Sequence, residues 1–420
     1  MKHVGHRILL LPALLLVVAP AGGADWPQFL GPARNGLSSE TGLARSWPKD
    51  GPTVTWTVQM GPGFGGAAIH SNEVLVLDRV EDERDDLRVF DLDSGKQLWN
   101  FTYDAPGHTS LHGSRSTPAV DEHHVYTIGL FGHIHCIDRT THKPRWTLHL
   151  IEDFATPPPG YGFGQSPLLT PDAVILAPLS NSAGVVALEK KSGRVLWRSK
   201  PIGEGGNRQY ASTLSTVIDG VEQIIVIAAP FVVGVDASNG EELWRYEGFA
   251  CRLQIAGPTP VGDGRFFVTG GYGAGSAMIK VGRKGNQFAA RQLMRLPKFG
   301  SIIPNALYVN GHLFANCNTK VDTHGLTCID LDGNVLWNTA DAPRLGWGSL
   351  IAADGLIYLT DSDTGMLHLI DADPEVYTPL ASAKLLSGKD IWGPLALSDG
   401  RLIIRDQAQM RCVDVRAQSY

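Results

Sequence analysis

One short phrase recurs along this chain and limits its fold more than any other feature. Residues 91–99 read DLDSGKQLW, 189–197 EKKSGRVLW and 236–244 DASNGEELW, while 330–337, DLDGNVLW, is the same phrase one residue shorter. A diverged copy, DRTTHKPRW, occupies 138–146. Each is an acidic residue, a turn that usually carries Gly, and then Trp. The Gly supplies the positive φ of a tight hairpin, and the Trp opens the returning strand. A phrase repeated at regular intervals has to be read before any local propensity, because it sets the architecture.

With Trp56 added, the anchors are Trp56, Trp99, Trp146, Trp197, Trp244 and Trp337, spaced 43, 47, 51, 47 and 93 residues apart. The last gap is two periods with one anchor lost, and its decayed turn is at 281–285. Another decayed turn follows Asp371. Between turns lies a second signature: Gly or Ser, an apolar residue, a turn and a β-rich run, as in STPAVDEHHVYTI from Ser116, GSLIAADGLIYLT from Gly348 and GPLALSDGRLIIR from Gly393. Each period is therefore four short strands, and helical periodicity is absent. Four antiparallel strands repeated eight times predict an all-β, eight-bladed β-propeller. The ring form also answers a question of size. At 420 residues the chain exceeds what one ordinary core supports, and 48 Gly with 26 Pro suit turns between short strands. The last blade lacks its outer strand. TVTWTVQ around Trp56 supplies it, which closes the ring and removes a free edge.

The expected organisation is a secretory signal over 1–24, an extended segment over 25–52 and a single propeller over 53–420. Lys2 and Arg7 precede a 12-residue apolar run from Ile8 to Ala19, followed by small residues. That is the pattern of a cleaved export signal, with cleavage after Ala21 or Ala24. The run falls short of the ~20 residues of a membrane span, and no Cys precedes Cys136 to accept a lipid. A periplasmic or secreted, monomeric protein without a transmembrane anchor is expected. A net charge of −6 argues against nucleic acid, whose binders need a basic face.

The acidic–x–x–[Ser/Asn]–Gly–x–x–Leu–Trp turn resembles the repeat of quinoprotein-type propellers, named for pyrroloquinoline quinone (PQQ). The resemblance runs from about Trp26 to the C-terminus. The opening DWPQFLGPARNG is similar to the start of exported PQQ-like repeat proteins. It implies a fold and leaves two functions open, because the superfamily holds quinone-dependent alcohol dehydrogenases and cofactor-free scaffolds such as the outer-membrane-protein assembly factor BamB. The dehydrogenases are expected to carry calcium-binding acidic and amide side chains in the funnel, and commonly an adjacent Cys pair. This chain has no Cys-Cys pair and is shorter.

Five Cys are too few, and odd in number, for a disulfide framework. Cys136, Cys328 and Cys412 share one repeat slot with Val89, Ala187, Gly234 and Leu369, so they read as small buried hydrophobes between blades. A bridge between Cys251 and Cys317 stays open. His133 and His135 share a strand face, as two metal ligands would, but the His135 slot holds Arg, Val, Thr or, once, His in other blades, and no metal site is assigned. The DSDTG at 361–365 reads as a hairpin turn and not as a calcium loop.

Propeller loops entering the innermost strands converge on a funnel. Here they carry Arg115, Tyr161, Gln165, Tyr210, Arg252, Gln254, Lys298, Trp347 and Trp392. Trp347 and Trp392 occupy equivalent positions, each followed by Gly, and are matched in other blades to Ser116 and Gln165. Aromatic and Arg side chains around a concavity suit capture of a peptide or ligand, while no Ser–His–Asp or paired-carboxylate set can be assembled. The expectation is a non-catalytic exported scaffold or ligand-binding module. Its partners are envelope or secreted proteins or a small ligand, and it needs no cofactor. The alternative is a PQQ-dependent oxidoreductase holding the quinone with calcium.

Overall fold

In the computed structural model, residues 24–203, 210–340 and 342–417 are described; the apolar run read as an export signal lies outside them. The described residues form eight four-stranded antiparallel sheets, the blades of a β-propeller. Blades 1 to 7 take consecutive strands, at residues 68–104, 119–149, 168–198, 214–246, 259–296, 307–338 and 350–384. Blade 8 joins Ala396–Ser398, Arg401–Arg405 and Gln409–Asp414 to the N-terminal strand Thr53–Gln59, which pairs with Gln409–Asp414. One five-residue helix, Leu150–Phe154, follows blade 2. It is too short to leave a periodic signal in the sequence. The His149 side chain accepts from the Ile151 amide, and the helix ends in a left-handed Ala155. Among the described residues no helix is long and apolar enough to cross a membrane.

The repeated phrase works across blade junctions. The Trp56 indole donates to the Leu92 carbonyl at 2.7 Å, Trp146 to Lys190 at 2.9 Å, Trp197 to Ala237 at 3.0 Å and Trp337 to Asp373 at 3.1 Å. Each acceptor lies in the turn of the following blade. The diverged copy keeps the device in altered form: His142 takes the glycine's place at φ +57° and stacks on Trp99, with centroids 4.4 Å apart. Trp244 faces blade 5, whose turn has become the long hairpin of Gly275–Lys284 and Gln287–Leu296. With no turn carbonyl to meet, it bonds Gln223 of its own blade at 2.7 Å. Trp56, Trp99, Trp146 and Trp244 are buried, whereas Trp197 and Trp337 are half-buried.

Opposite the anchors sits the slot that holds Val89, Cys136, Ala187, Gly234, Cys328, Leu369 and Cys412, with Met278 completing it in blade 5. The three Cys there are wholly buried. All five Cys are free thiols, Cys251 and Cys317 included. Burial pushes the Cys136, Cys317 and Cys328 thiols up to about 12, so they behave as small apolar side chains.

The segment preceding the closing strand crosses the propeller. It bonds Ile69 of blade 1 through Trp26, Val120 of blade 2 through Pro27 and Leu169 of blade 3 through Gln28. It then crosses to Ala352 of blade 7 through Gly36, and to Val415, beyond blade 8, through Ala44. Between these contacts Arg34 is buried and gives its guanidinium to the Pro167 carbonyl at 2.8 Å and the Ser166 carbonyl at 3.3 Å. This strap links blades 1, 2 and 3 with blade 7 and the end of blade 8.

Candidate functional site

Strand register aligns the blades residue by residue. The row that crosses the Trp slot meets the innermost strands at Ala68, Ala119, Leu168, Leu214, Thr259, Leu307, Ile351 and Ala396. In every blade the residue four positions earlier faces the channel: Phe64, Arg115, Gly164, Tyr210, Ile255, Ile303, Trp347 and Trp392. All eight line one cavity of about 430 Å³. Phe29 and Leu30 of the strap also line it.

Two residues further along each linker a second ring stitches the blades together. The Gly66 amide donates to Thr117 Oγ1 at 3.1 Å, the Thr117 amide to Ser166 Oγ at 2.9 Å, and the Ser166 amide to Ser212 Oγ at 2.9 Å. The Gly257 amide donates to Asn305 Oδ1 at 2.8 Å. Small polar residues recur before each inner strand because they satisfy buried amides across the junction.

This register corrects one equivalence drawn from the sequence. Ser116 and Gln165 match Gly348 and Gly393, while Arg115 and Gly164 match the two Trp. A slip of one residue on an extended chain turns a side chain to the opposite face. Gln165 accordingly points into its blade, where it both donates to and accepts from the Ala177 backbone, at 2.8 and 2.9 Å. Gln254 is buried likewise and donates to the Thr269 carbonyl at 3.0 Å. Arg252 and Lys298 are exposed and lie off the cavity. Arg115, Tyr161, Tyr210, Trp347 and Trp392 are brought together around it.

Along one wall these groups form a continuous arc of ring and cation contacts. Arg115 lies over Phe64 at 5.3 Å, Phe64 stacks on Trp392 at 4.7 Å, and Trp392 meets Trp347 at 5.5 Å. Lys320 Nζ then sits 5.9 Å from the centroids of both Trp347 and Tyr272. Across the cavity the Tyr161 amide donates to the Tyr210 hydroxyl at 3.1 Å. Sequence reading missed Phe64, Lys320, Tyr272, Asn305 and the strap residues. Phe64 was legible in principle from its repeat slot. Lys320 and Tyr272 come from the hairpins after the second strands of blades 6 and 5, which only folding brings to the mouth.

Arg115 is half-buried and donates to neutral acceptors, the Gly113 carbonyl at 2.5 Å, Thr109 Oγ1 at 3.2 Å and the Leu111 carbonyl. Burial lowers its guanidinium to about 10, against an opposing pull from Tyr210. Among the described residues no Asp or Glu lines the cavity, and no group of three His, Cys, Asp or Glu could hold a metal ion. A calcium-held quinone needs carboxylate donors, and the described lining, two cations among aromatic, aliphatic and neutral polar side chains whose one amide, Asn305, already accepts from the Gly257 amide, does not fit it. His133 and His135 lie in the blade 1–2 junction, where both rings meet Tyr103 at a tilt and run nearly parallel to each other. The 361–365 segment is the turn between Leu356–Thr360 and Met366–Asp371, with Asp361 accepting from the Asp363 and Thr364 amides.

The family described as outer membrane protein assembly factor BamB matches residues 83–294. No curated protein sequence matches the chain. Among solved structures, a europium-containing methanol dehydrogenase is 12% identical, covering 91% of this chain and 89% of its own, with a TM-score of 0.63. BamB from Moraxella catarrhalis is 14% identical over 88% of this chain and 99% of its own, with a TM-score of 0.59. Quinohemoprotein alcohol dehydrogenase from Comamonas testosteroni is 12% identical over 94% and 81%, with a TM-score of 0.63. At these identities the likeness is one of fold.

Proposed function

Because this chain belongs to the PQQ-like repeat family described as outer membrane protein assembly factor BamB, we propose that it is a non-catalytic propeller of the cell envelope that captures a partner or ligand at its channel mouth. The observation that carries this reading is the lining of the mouth. Aromatic side chains and two cations converge there, and no carboxylate among the described residues offers acid–base or metal chemistry. Rigid aromatic and Arg side chains in a partly solvated concavity are the usual seats of binding energy. The charged start and apolar run ahead of Asp25 support export, and so a site of action in the periplasm or outside the cell.

Two of the structural neighbours are named as dehydrogenases, so a PQQ-dependent oxidoreductase is the competing reading. The donor set at the mouth counts against it. Purifying the protein after incubation with PQQ and Ca²⁺ separates the two, since a retained quinone absorbance would favour the enzyme.

The test of capture is Trp347→Ala combined with Trp392→Ala. Both rings are half-buried at the rim, so melting should be little changed, while recovery of envelope proteins in parallel pull-downs should fall ~10-fold or more, about 1.4 kcal/mol. A double variant that folds and retains every partner of the wild type would refute the mouth as the capture site. One that melts far below wild type would make the two rings a structural plug.

A further inference from the structure

In seven blades the residue two places past the slot opposite the anchor is acidic, and the third strand ends there or one step before it: Asp91, Asp138, Glu189, Asp236, Asp330, Asp371 and Asp414. Several of these carboxylates cap their own turns, as Asp91 does for the Ser94 amide and Asp236 for the Ser238 amide, both at 2.8 Å. Blade 5 inverts both features. Its residue at that position is Lys280, two past Met278, and the strand runs on to Lys284 before the chain turns at Gly285. Four further residues of strand carry this hairpin about 13 Å past the level of the other turns. It lies at the blade end opposite the linkers of the mouth, because successive strands run in opposite directions. The sequence is polarised at the same place. Residues 264–321 hold eight Lys or Arg and no Asp or Glu, so the net charge of −6 is +8 there and −14 elsewhere.

The hairpin is braced, which holds its charges in place. The Arg283 amide donates to Asp219 Oδ2 of blade 4 at 2.8 Å, the Val281 amide to the Gly264 carbonyl at 2.8 Å, and the Lys280 ammonium to the Asp263 carbonyl. The Arg283 guanidinium lies over Phe288 at 4.8 Å, and Phe288 and Ala290 pack on the core shared with blade 4. Arg283, Lys284 and Arg291 are exposed, and neither they nor Lys280 form an ion pair among the described residues; the neighbouring pairs, Arg245–Glu242 and Arg265–Asp263, are each local to one short stretch of chain. We propose that this hairpin docks the propeller on an anionic lipid surface. A reach of about 13 Å exceeds the Debye length of about 8 Å at physiological ionic strength, so the four cations meet an anionic plane while the acidic turns behind them are screened from it. The residues at its tip, Arg283 to Gln287, are charged, polar or Gly, so the attraction is Coulombic and stays at the level of the headgroups. Docking of this kind is independent of what the mouth captures.

The test is co-sedimentation with vesicles of phosphatidylglycerol and phosphatidylcholine in equal parts, against vesicles of phosphatidylcholine alone. The chain from Asp25 onward is used, so that the apolar run from Ile8 to Ala19 cannot itself insert. Partitioning onto the anionic vesicles should be at least ~10-fold stronger than onto the neutral ones and should weaken steeply as salt is raised. Arg283→Gln, Lys284→Gln and Arg291→Gln together should melt like the wild type, since all three side chains are exposed, and should lower partitioning ~10-fold or more. Lys284→Gln alone should give a smaller loss in the same direction. Arg283→Lys with Arg291→Lys should bind as the wild type does, because only charge is needed. A control that removes the same charge elsewhere, at the exposed Lys49, Lys191 and Lys389, should leave binding nearly unchanged. Equal binding to both vesicles, binding to neither, or equal losses in the hairpin and control variants would each overturn the proposal. Retention on immobilised polyglutamate or duplex DNA without binding to anionic vesicles would also overturn it, and would assign the hairpin to an acidic macromolecule.

Discussion

A Cβ on Gly193 would stand 2.7 Å from Cδ2 of Trp146, and the backbone there sits at φ +71°. The same geometry recurs at Gly240, where a Cβ would come within 2.4 Å of Trp197 at φ +77°. The turn glycine thus serves two ends, the left-handed hairpin position and the flat seat for the preceding blade's indole. Gly193→Ala should cost roughly 1–3 kcal/mol through overpacking, and Trp146→Ala on the order of 3–5 kcal/mol, the loss for a buried aromatic. The two residues share one contact, so their effects should not add. Denaturant melts of the two single variants and the double variant check this: with Trp146 gone, the alanine at 193 should cost much less than it does alone. Additive losses would mean that ring and glycine do not bear on each other.

At the scale of elements, the blade 1–2 junction departs from the other junctions in holding a histidine cluster. His133 and His149 meet edge-on at 4.7 Å, and His135 meets Tyr103 at 4.1 Å and Phe101 at 5.2 Å. Burial, then the neighbouring His133 and His149, lowers His135 from 6.5 to about 4; burial lowers His133 as well. The folded state therefore binds fewer protons at these rings than the unfolded chain does. Their contribution is fully present above pH 6.5 and drains away as pH falls toward about 4. The slope is at most about 1.4 kcal/mol per pH unit for one proton. His135→Phe keeps the aromatic contact and removes the titration, so its stability between pH 6.5 and pH 4 should fall less steeply than that of the wild type. Parallel slopes in urea melts across that range would rule out His135 as the group responsible.

At the scale of the whole molecule, two N-terminal pieces hold the ring together. Thr53–Gln59 is the outer strand of blade 8, and the strap ahead of it ties blades 1, 2 and 3 to blades 7 and 8. Removing Thr53–Gln59 would leave Gln409–Asp414 as a bare edge and unseat Trp56 from the blade 1 turn. Such a deletion should produce oligomers or an unfolded chain, because an open edge templates pairing with another copy. Size-exclusion chromatography with a thermal melt reads this directly. A monomer of unchanged stability would show that the ring does not depend on that strand.

Strand count, blade count and ring closure were legible in the chain because a hairpin is a local object. Its acid, glycine and tryptophan lie within nine residues, and a repeat displays them several times over. The buried Cys slot was legible for the same reason, since repeats let one position be compared across blades. The mouth was legible only in part. Arg115, Tyr161, Tyr210, Trp347 and Trp392 could be placed on inner-strand linkers, but Gln165 and Gln254 lie on the same linkers and turn inward. On an extended backbone one residue of register decides which face a side chain takes, and cross-strand hydrogen bonds fix that register. Phe29 and Leu30 belong to a strap that crosses the channel, and Lys320 and Tyr272 to hairpin tips of two other blades. Each reaches the cavity over a sequence distance that no local pattern spans. The sequence by itself determined the ring, because its information is local and repeated; which side chains meet at the channel mouth was decided only in three dimensions, where closing the ring brings eight distant linkers to one axis.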